Sequence, residues 1–127
     1  MNKLFVLLKT LRTSESNFII VLLRFFWIRI FNNKSFLLHQ KVSIKGIKNI
    51  QTKGIIKVGI DYVGFVHRKD KTYLNIKGKL SINGNYSIGR GCRFDIGENA
   101  IVTIGSGGYI NCNTNLIIMH NLHIGDN

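Results

Sequence analysis

The chain has 127 residues, 45% of them hydrophobic, with no proline and a formal net charge of +12. That length allows one modest domain. Two cysteines without a CxxC pair or a Cys/His cluster exclude a zinc module, so no metal is expected. The charge is uneven: all 18 Lys and Arg residues lie at or before Arg93, residues 1–79 carry a net +13, and residues 80–127 carry a net −1. A basic half suits phosphates, anionic lipid heads or a phosphorylated substrate. It also suits a plain solvated surface, because abundant Ile, Asn and Lys is the bias of AT-rich coding.

Residues 1–12 and 17–31 (NFIIVLLRFFWIRIF) are apolar with interspersed basic residues. Ser14, Ser16 and Asn17 are candidate caps for a second helix. The longest uncharged apolar run, Phe18 to Leu23, is six residues, far short of the about 20 needed to span a bilayer. Arg24 and Arg29 would also sit mid-span. A signal peptide fits poorly, since the apolar core comes late and lacks a small-residue cleavage site. Two readings stay open for residues 1–40. The segment caps the end of the following domain, or residues 1–31 lie on a membrane surface with Phe25, Phe26 and Trp27 at headgroup depth.

From Lys41 the pattern turns extended: KVSIKGIKNI and GIIKVGIDYVGF alternate apolar residues with polar ones or glycine. Val58-Gly59 and Ile60-Asp61 look like degenerate repeat units. The charged stretch 67–78 (HRKDKTYLNIKG) reads as a surface loop or an irregular coil, with Arg68, Lys69 and Lys71 as candidate phosphate ligands. Residues 41–79 are thus expected to form irregular coils and 80–127 regular ones.

The regular part carries an aliphatic-glycine beat: Ile88-Gly89, Ile96-Gly97, Ile104-Gly105, then Ile110-Asn111, Leu116-Ile117 and Ile124-Gly125. The fifth position of the first four units is small: Cys92, Ala100, Gly108 and Thr114. So short a period predicts a solenoid in which short strands alternate with tight turns and each aliphatic residue is buried against the next coil. Ile88, Ile96, Ile104, Ile110, Leu116 and Ile124 are expected to form internal stacks, and Cys92 and Cys112 to be free, buried thiols.

The beat resembles the hexapeptide-repeat acyltransferases, over residues 82–127. The basic, apolar amino-terminal segment is similar to that of the branch that acetylates sugars of bacterial surface polysaccharides. The resemblance implies an all-β left-handed parallel β-helix behind an amino-terminal helical segment, a homotrimer, and a bacterial cytoplasmic location, with membrane-surface contact through residues 1–31 still open. It also implies acetyl transfer from acetyl-CoA, as co-substrate, to a sugar hydroxyl. YINCNTNLIIMHNLHIGDN, residues 109–127, resembles the acceptor-side stretch of galactoside and maltose acetyltransferases. Tyr109 and Asn111 fall on positions that face the acceptor sugar there, and Met119 stands where those proteins carry an acidic residue. Asn111 equally suits a turn.

In that family the catalytic histidine follows the IGDN motif by about one coil, and it acts as general base on the attacking hydroxyl. No residue of this sequence takes that position. His39 and His67 precede the regular repeats, and His120 and His123 lie one coil too early. The chain therefore reads as the amino-terminal part of an O-acetyltransferase, incomplete at its carboxyl end and inactive alone. The alternative is a non-catalytic β-helix scaffold that binds a partner. No nucleic-acid partner is expected: no such motif is present, and aromatic residues do not interleave with the basic stretch.

Overall fold

A computed structural model describes residues 2–67 and 69–126. Two helices come first, α1 (Lys3–Thr13) and α2 (Phe18–Asn32). Asparagines start both. The Asn2 side chain accepts from the Leu4 N–H, and the Asn17 side chain accepts from the N–H groups of Ile19 and Ile20. Ser14 stands at the end of α1, while Asn33 ends α2 in the left-handed conformation, φ 53°, which asparagine tolerates.

Twelve short strands follow in four coils of three. The first coil is β1 (Ser35–Leu38), β2 (Val42–Lys45) and β3 (Ile50–Thr52), with a 3-10 turn at Ile47–Asn49. The second is β4 (Ile55–Val58), β5 (Thr72–Ile76) and β6 (Lys79–Ile82). The third is β7 (Tyr86–Ile88), β8 (Arg93–Ile96) and β9 (Ile101–Ile104), and the fourth is β10 (Tyr109–Ile110), β11 (Asn115–Ile118) and β12 (Asn121–Ile124). Each coil gives one strand to each of three parallel sheets, ordered β1-β4-β7-β10, β2-β5-β8-β11 and β3-β6-β9-β12. The arrangement is consistent with a parallel β-helix.

Strand alternation explains the core. In β8, for example, Phe94 and Ile96 are buried while Arg93 and Asp95 turn outward. Register then stacks the inward residues in files: Leu38–Val58–Ile88–Ile110, Ile44–Leu74–Phe94–Leu116, Ile76–Ile96–Ile118 and Ile82–Ile104–Ile124. Nearly all of this core belongs to one continuous cluster. Tight corners demand glycine where a side chain has no space. At Gly46, φ 85°, a Cβ would lie 1.9 Å from the Ile76 carbonyl oxygen of the next coil.

Two expectations need correction. Strands begin at Ser35, inside the segment assigned to helices, because Phe36, Leu37 and Leu38 are all buried and read equally well as helix. The stretch 67–78 is a loop only as far as Lys71: Thr72–Ile76 is a fully registered strand, whose apolar positions Leu74 and Ile76 were masked by flanking charge. The expected stacking of Leu116 holds: it stands under Phe94, and Ile118 stands under Ile96.

The helices pack on the outside of the first sheet. Leu37 points away from the solenoid core and is buried with Leu11, Val21 and Ile60, with Leu7 and Phe25 alongside. Ile28 of α2 joins the main core. Polar ties complete the junction. Gln40 accepts from the Asn17 N–H and donates to the Glu15 carbonyl, and the Arg24 Nη1 donates to the Val42 carbonyl at 2.9 Å. Arg90, buried in the corner after β7, donates to the carbonyls of Gly59 and Ser14, so one guanidinium joins the helix linker to two coils.

Candidate functional site

The outer face of the first sheet carries a row of residues set by register: Leu37, Lys57, Ser87 and Tyr109, one from each coil. Leu37 is covered by the helices; the other three border open space. The chain that leaves β4, residues 59–67, does not turn directly into the next strand and instead folds beside this row. Two of its side chains meet the row. Asp61 accepts a hydrogen bond from the Ser87 hydroxyl at 3.1 Å and pairs with the Lys57 ammonium at 3.5 Å. Tyr62 stacks on Tyr109, ring centroids 3.9 Å apart and planes 6° from parallel.

Tyr62 holds this stack from a left-handed backbone, φ 53°. A bulky residue in that region carries on the order of 1–2 kcal/mol of strain, which the ring stack offsets by about 0.5–1.5 kcal/mol. The two rings remain 43% and 50% exposed, so each keeps accessible surface for a ligand.

Between α1 and this face lies a groove of about 530 Å³, a size that suits a small-molecule or sugar-sized ligand. Lys3, Val6 and Thr10 line its helical wall; Lys57, Tyr62, Asn85 and Ser87 line the sheet side. A smaller cavity of about 210 Å³ adjoins it at the next corner, between Tyr86, Tyr109 and Asp126. Asp126 is fixed there by accepting from the Ser106 N–H at 2.8 Å. Burial pushes the Tyr86 phenol up from its usual range, keeping it a neutral hydroxyl.

Tyr109, expected to face an acceptor, lines the smaller cavity and stacks on Tyr62, which lines the groove. Asn111 shares its face, two residues on, but is engaged in its own corner. Its Oδ1 accepts from the Cys112 N–H, and its carbonyl accepts from the Cys92 thiol and the Thr114 hydroxyl. It lines neither cavity. Cys92 is buried and free, and desolvation raises its thiol pKa; Cys112 is free and half-buried. Met119, in a two-residue corner, is exposed.

Sequence reasoning missed Lys57, Asp61, Tyr62 and Ser87. Asp61 and Tyr62 fell in what read as degenerate repeat, and only long-range register reveals their partners. The signal available was an acidic-aromatic pair, Asp61-Tyr62, directly after a strand. Lys69 and Lys71 are exposed on the outer part of the same loop, and Arg68 lies outside the described residues.

No histidine lines either cavity, and no group of His, Cys, Asp and Glu among the described residues is arranged to hold a metal. His39 is wholly buried at the β1–β2 corner, where its Nδ1 accepts from the Lys41 N–H. Its Nε2 has no hydrogen-bond partner, although the nearby Glu15 carbonyl favours a proton there. Desolvation, reinforced by the Arg90 charge, pushes its pKa down to about 4. The arrangement at the groove is equipped to bind: an aromatic platform, an ammonium, a carboxylate and hydroxyls converge, and the Asp61 carboxylate holds the Ser87 hydroxyl.

The chain is 33% identical over 116 residues to a Klebsiella pneumoniae protein described as an uncharacterized 24.8 kDa protein in cps region. The match covers 90% of this chain and 52% of that protein, so the chain spans about half the length of its relative. No family model matches the sequence. No solved structure matches it. No described helix is long and apolar enough to cross a membrane.

Proposed function

We propose that this protein acts in bacterial capsular or related surface-polysaccharide biosynthesis, as the acceptor-binding part of a sugar O-acetyltransferase with the left-handed β-helix and homotrimeric assembly of the hexapeptide-repeat enzymes. The observation that carries the reading is the groove on the first sheet. It sets the Tyr62–Tyr109 platform beside Lys57, Asp61 and Ser87, in a chain whose relative comes from a cps region, taken as a capsule locus. Aromatic rings suit the apolar C–H face of a pyranose, while the ammonium, carboxylate and hydroxyl suit its alcohol groups.

Acetyl-CoA is the co-substrate of this reading. The described residues supply recognition, and the proton transfer from the attacking hydroxyl is assigned to a base outside these cavities, since no histidine lines them. The experiment is chromosomal. Deletion of the gene, followed by NMR of the purified surface polysaccharide, is expected to remove one O-acetyl substituent, and Tyr62→Ala is expected to reproduce the loss. Unchanged acetylation after deletion overturns the reading. Loss of polymer with its acetyl pattern intact favours the non-catalytic scaffold.

A further inference from the structure

Helix α2 is apolar on two opposite sides, and the solenoid covers only one. Val21, Arg24, Phe25 and Ile28 face the sheet. Ile19, Leu23, Phe26 and Ile30, spaced i, i+4, i+7 and i+11, form a stripe on the far side, 57–74% exposed. Trp27 and Phe31, each 65% exposed, stack beside it with ring centroids 4.4 Å apart. A helix apolar all round belongs in a core or a membrane. At 15 residues it is about 22 Å long, short of the ~30 Å hydrocarbon layer.

The charge of the two helices selects the occupant of this stripe. Lys3, Lys9, Arg12 and Arg29 are all exposed on the two helices, and neither helix contains an acidic residue. Glu15, in the linker, is the sole carboxylate of residues 1–31. Arg24 is withdrawn inward, where burial lowers its pKa and its Nη1 donates to the Val42 carbonyl. A second copy would bring together two basic helical pairs that lack a carboxylate within either helix. An anionic bilayer complements them and buries the stripe at the acyl boundary, with Trp27 at headgroup depth.

We propose that α2 is an interfacial membrane anchor that holds the solenoid on an anionic lipid surface, the apolar stripe inserted and the net positive charge of the two helices drawing it to the headgroups. The groove of the first sheet lies beside α1, so the anchor brings that groove close to the bilayer plane.

The test uses the full chain and its own reporter, since Trp27 is the single tryptophan. Vesicles of phosphatidylcholine mixed with phosphatidylglycerol are expected to float the protein and blue-shift Trp27 emission. Binding should be roughly 10–100-fold weaker to phosphatidylcholine alone and fall with salt. Combined Leu23→Gln, Phe26→Gln and Ile30→Gln should abolish flotation with helix content unchanged, and Lys9→Gln with Arg12→Gln should weaken it. Quenching of wild-type Trp27 by brominated lipid supplies a readout that needs no variant. No shift and no flotation for the wild type overturns the proposal, as does full binding by the triple variant. Light scattering that shows a vesicle-free oligomer, lost in the triple variant and with no lipid binding, assigns the face to a second copy and overturns it as well.

Discussion

The solenoid and the helical pair treat the same kinds of residue in opposite ways. In β4 to β9 nearly every inward aliphatic residue is buried to within 1–2% and stands on its equivalent in the next coil. In α2 only Val21 and Ile28 are buried, and ten apolar residues are left exposed or half-exposed. Burial within the chain thus explains the hydrophobicity of the coils and only a small part of that of the helices. A sequence rich in Ile, Leu and Phe throughout serves two solvents: its own core, and an environment outside it.

Substitutions at the two regions should therefore differ sharply. Phe94→Ala, in the middle of the longest mixed file, is expected to cost about 3–5 kcal/mol in unfolding free energy, measured by urea titration. Arg90→Met should cost about 2–4 kcal/mol, because two buried carbonyls, Gly59 and Ser14, lose their donor. The helices should loosen before the coils do, visible as faster amide exchange confined to residues 3–32.

The junction is also expected to respond to acid. His39 has a folded pKa of about 4 against an ordinary 6.5, so between those values the unfolded chain binds more protons than the folded one. Stability attributable to this group is intact above pH 6.5 and declines as pH falls towards 4, by on the order of 2–3 kcal/mol. His39→Gln should flatten that part of the pH–stability curve, and an unchanged slope would refute the assignment.

Smaller effects sharpen the contrast from the other side. Tyr62→Gly relieves a left-handed residue while removing the stack, so stability should change by less than about 1 kcal/mol even as ligand binding is lost. Leu23→Gln should leave unfolding free energy within about 0.5 kcal/mol of wild type, the opposite of Phe94→Ala for a residue of comparable hydrophobicity.

The legibility of the sequence followed the range of the interactions. Ile88, Ile96 and Ile104 each precede a corner glycine, so a local pattern announced the coils. Tyr62 and Tyr109 are far apart along the chain, and Ser87 and Asp61 are 26 residues apart. Nothing local marks those pairs until register is known. Leu37 illustrates the same limit, since its burial depends on α1 and α2 folding back over a face that would otherwise be wet. Asn17 as a helix cap was legible because a cap acts within three residues.

The excursion at residues 59–67 enters at a corner. The register advances by 20 residues from Ser35 to Ile55 and by 30 from Ile56 to Tyr86, yet the rungs on either side stay aligned. A corner absorbs added chain as a bracket does, leaving the rails undisturbed. The surface proposed to meet a ligand is thus carried in part on chain added at a corner, and Gly59 and Ile60 tie that chain to Arg90 and to the helices. Selection can rewrite Asp61 and Tyr62 while Gly59 and Ile60 keep the excursion fixed to the stacked files beneath.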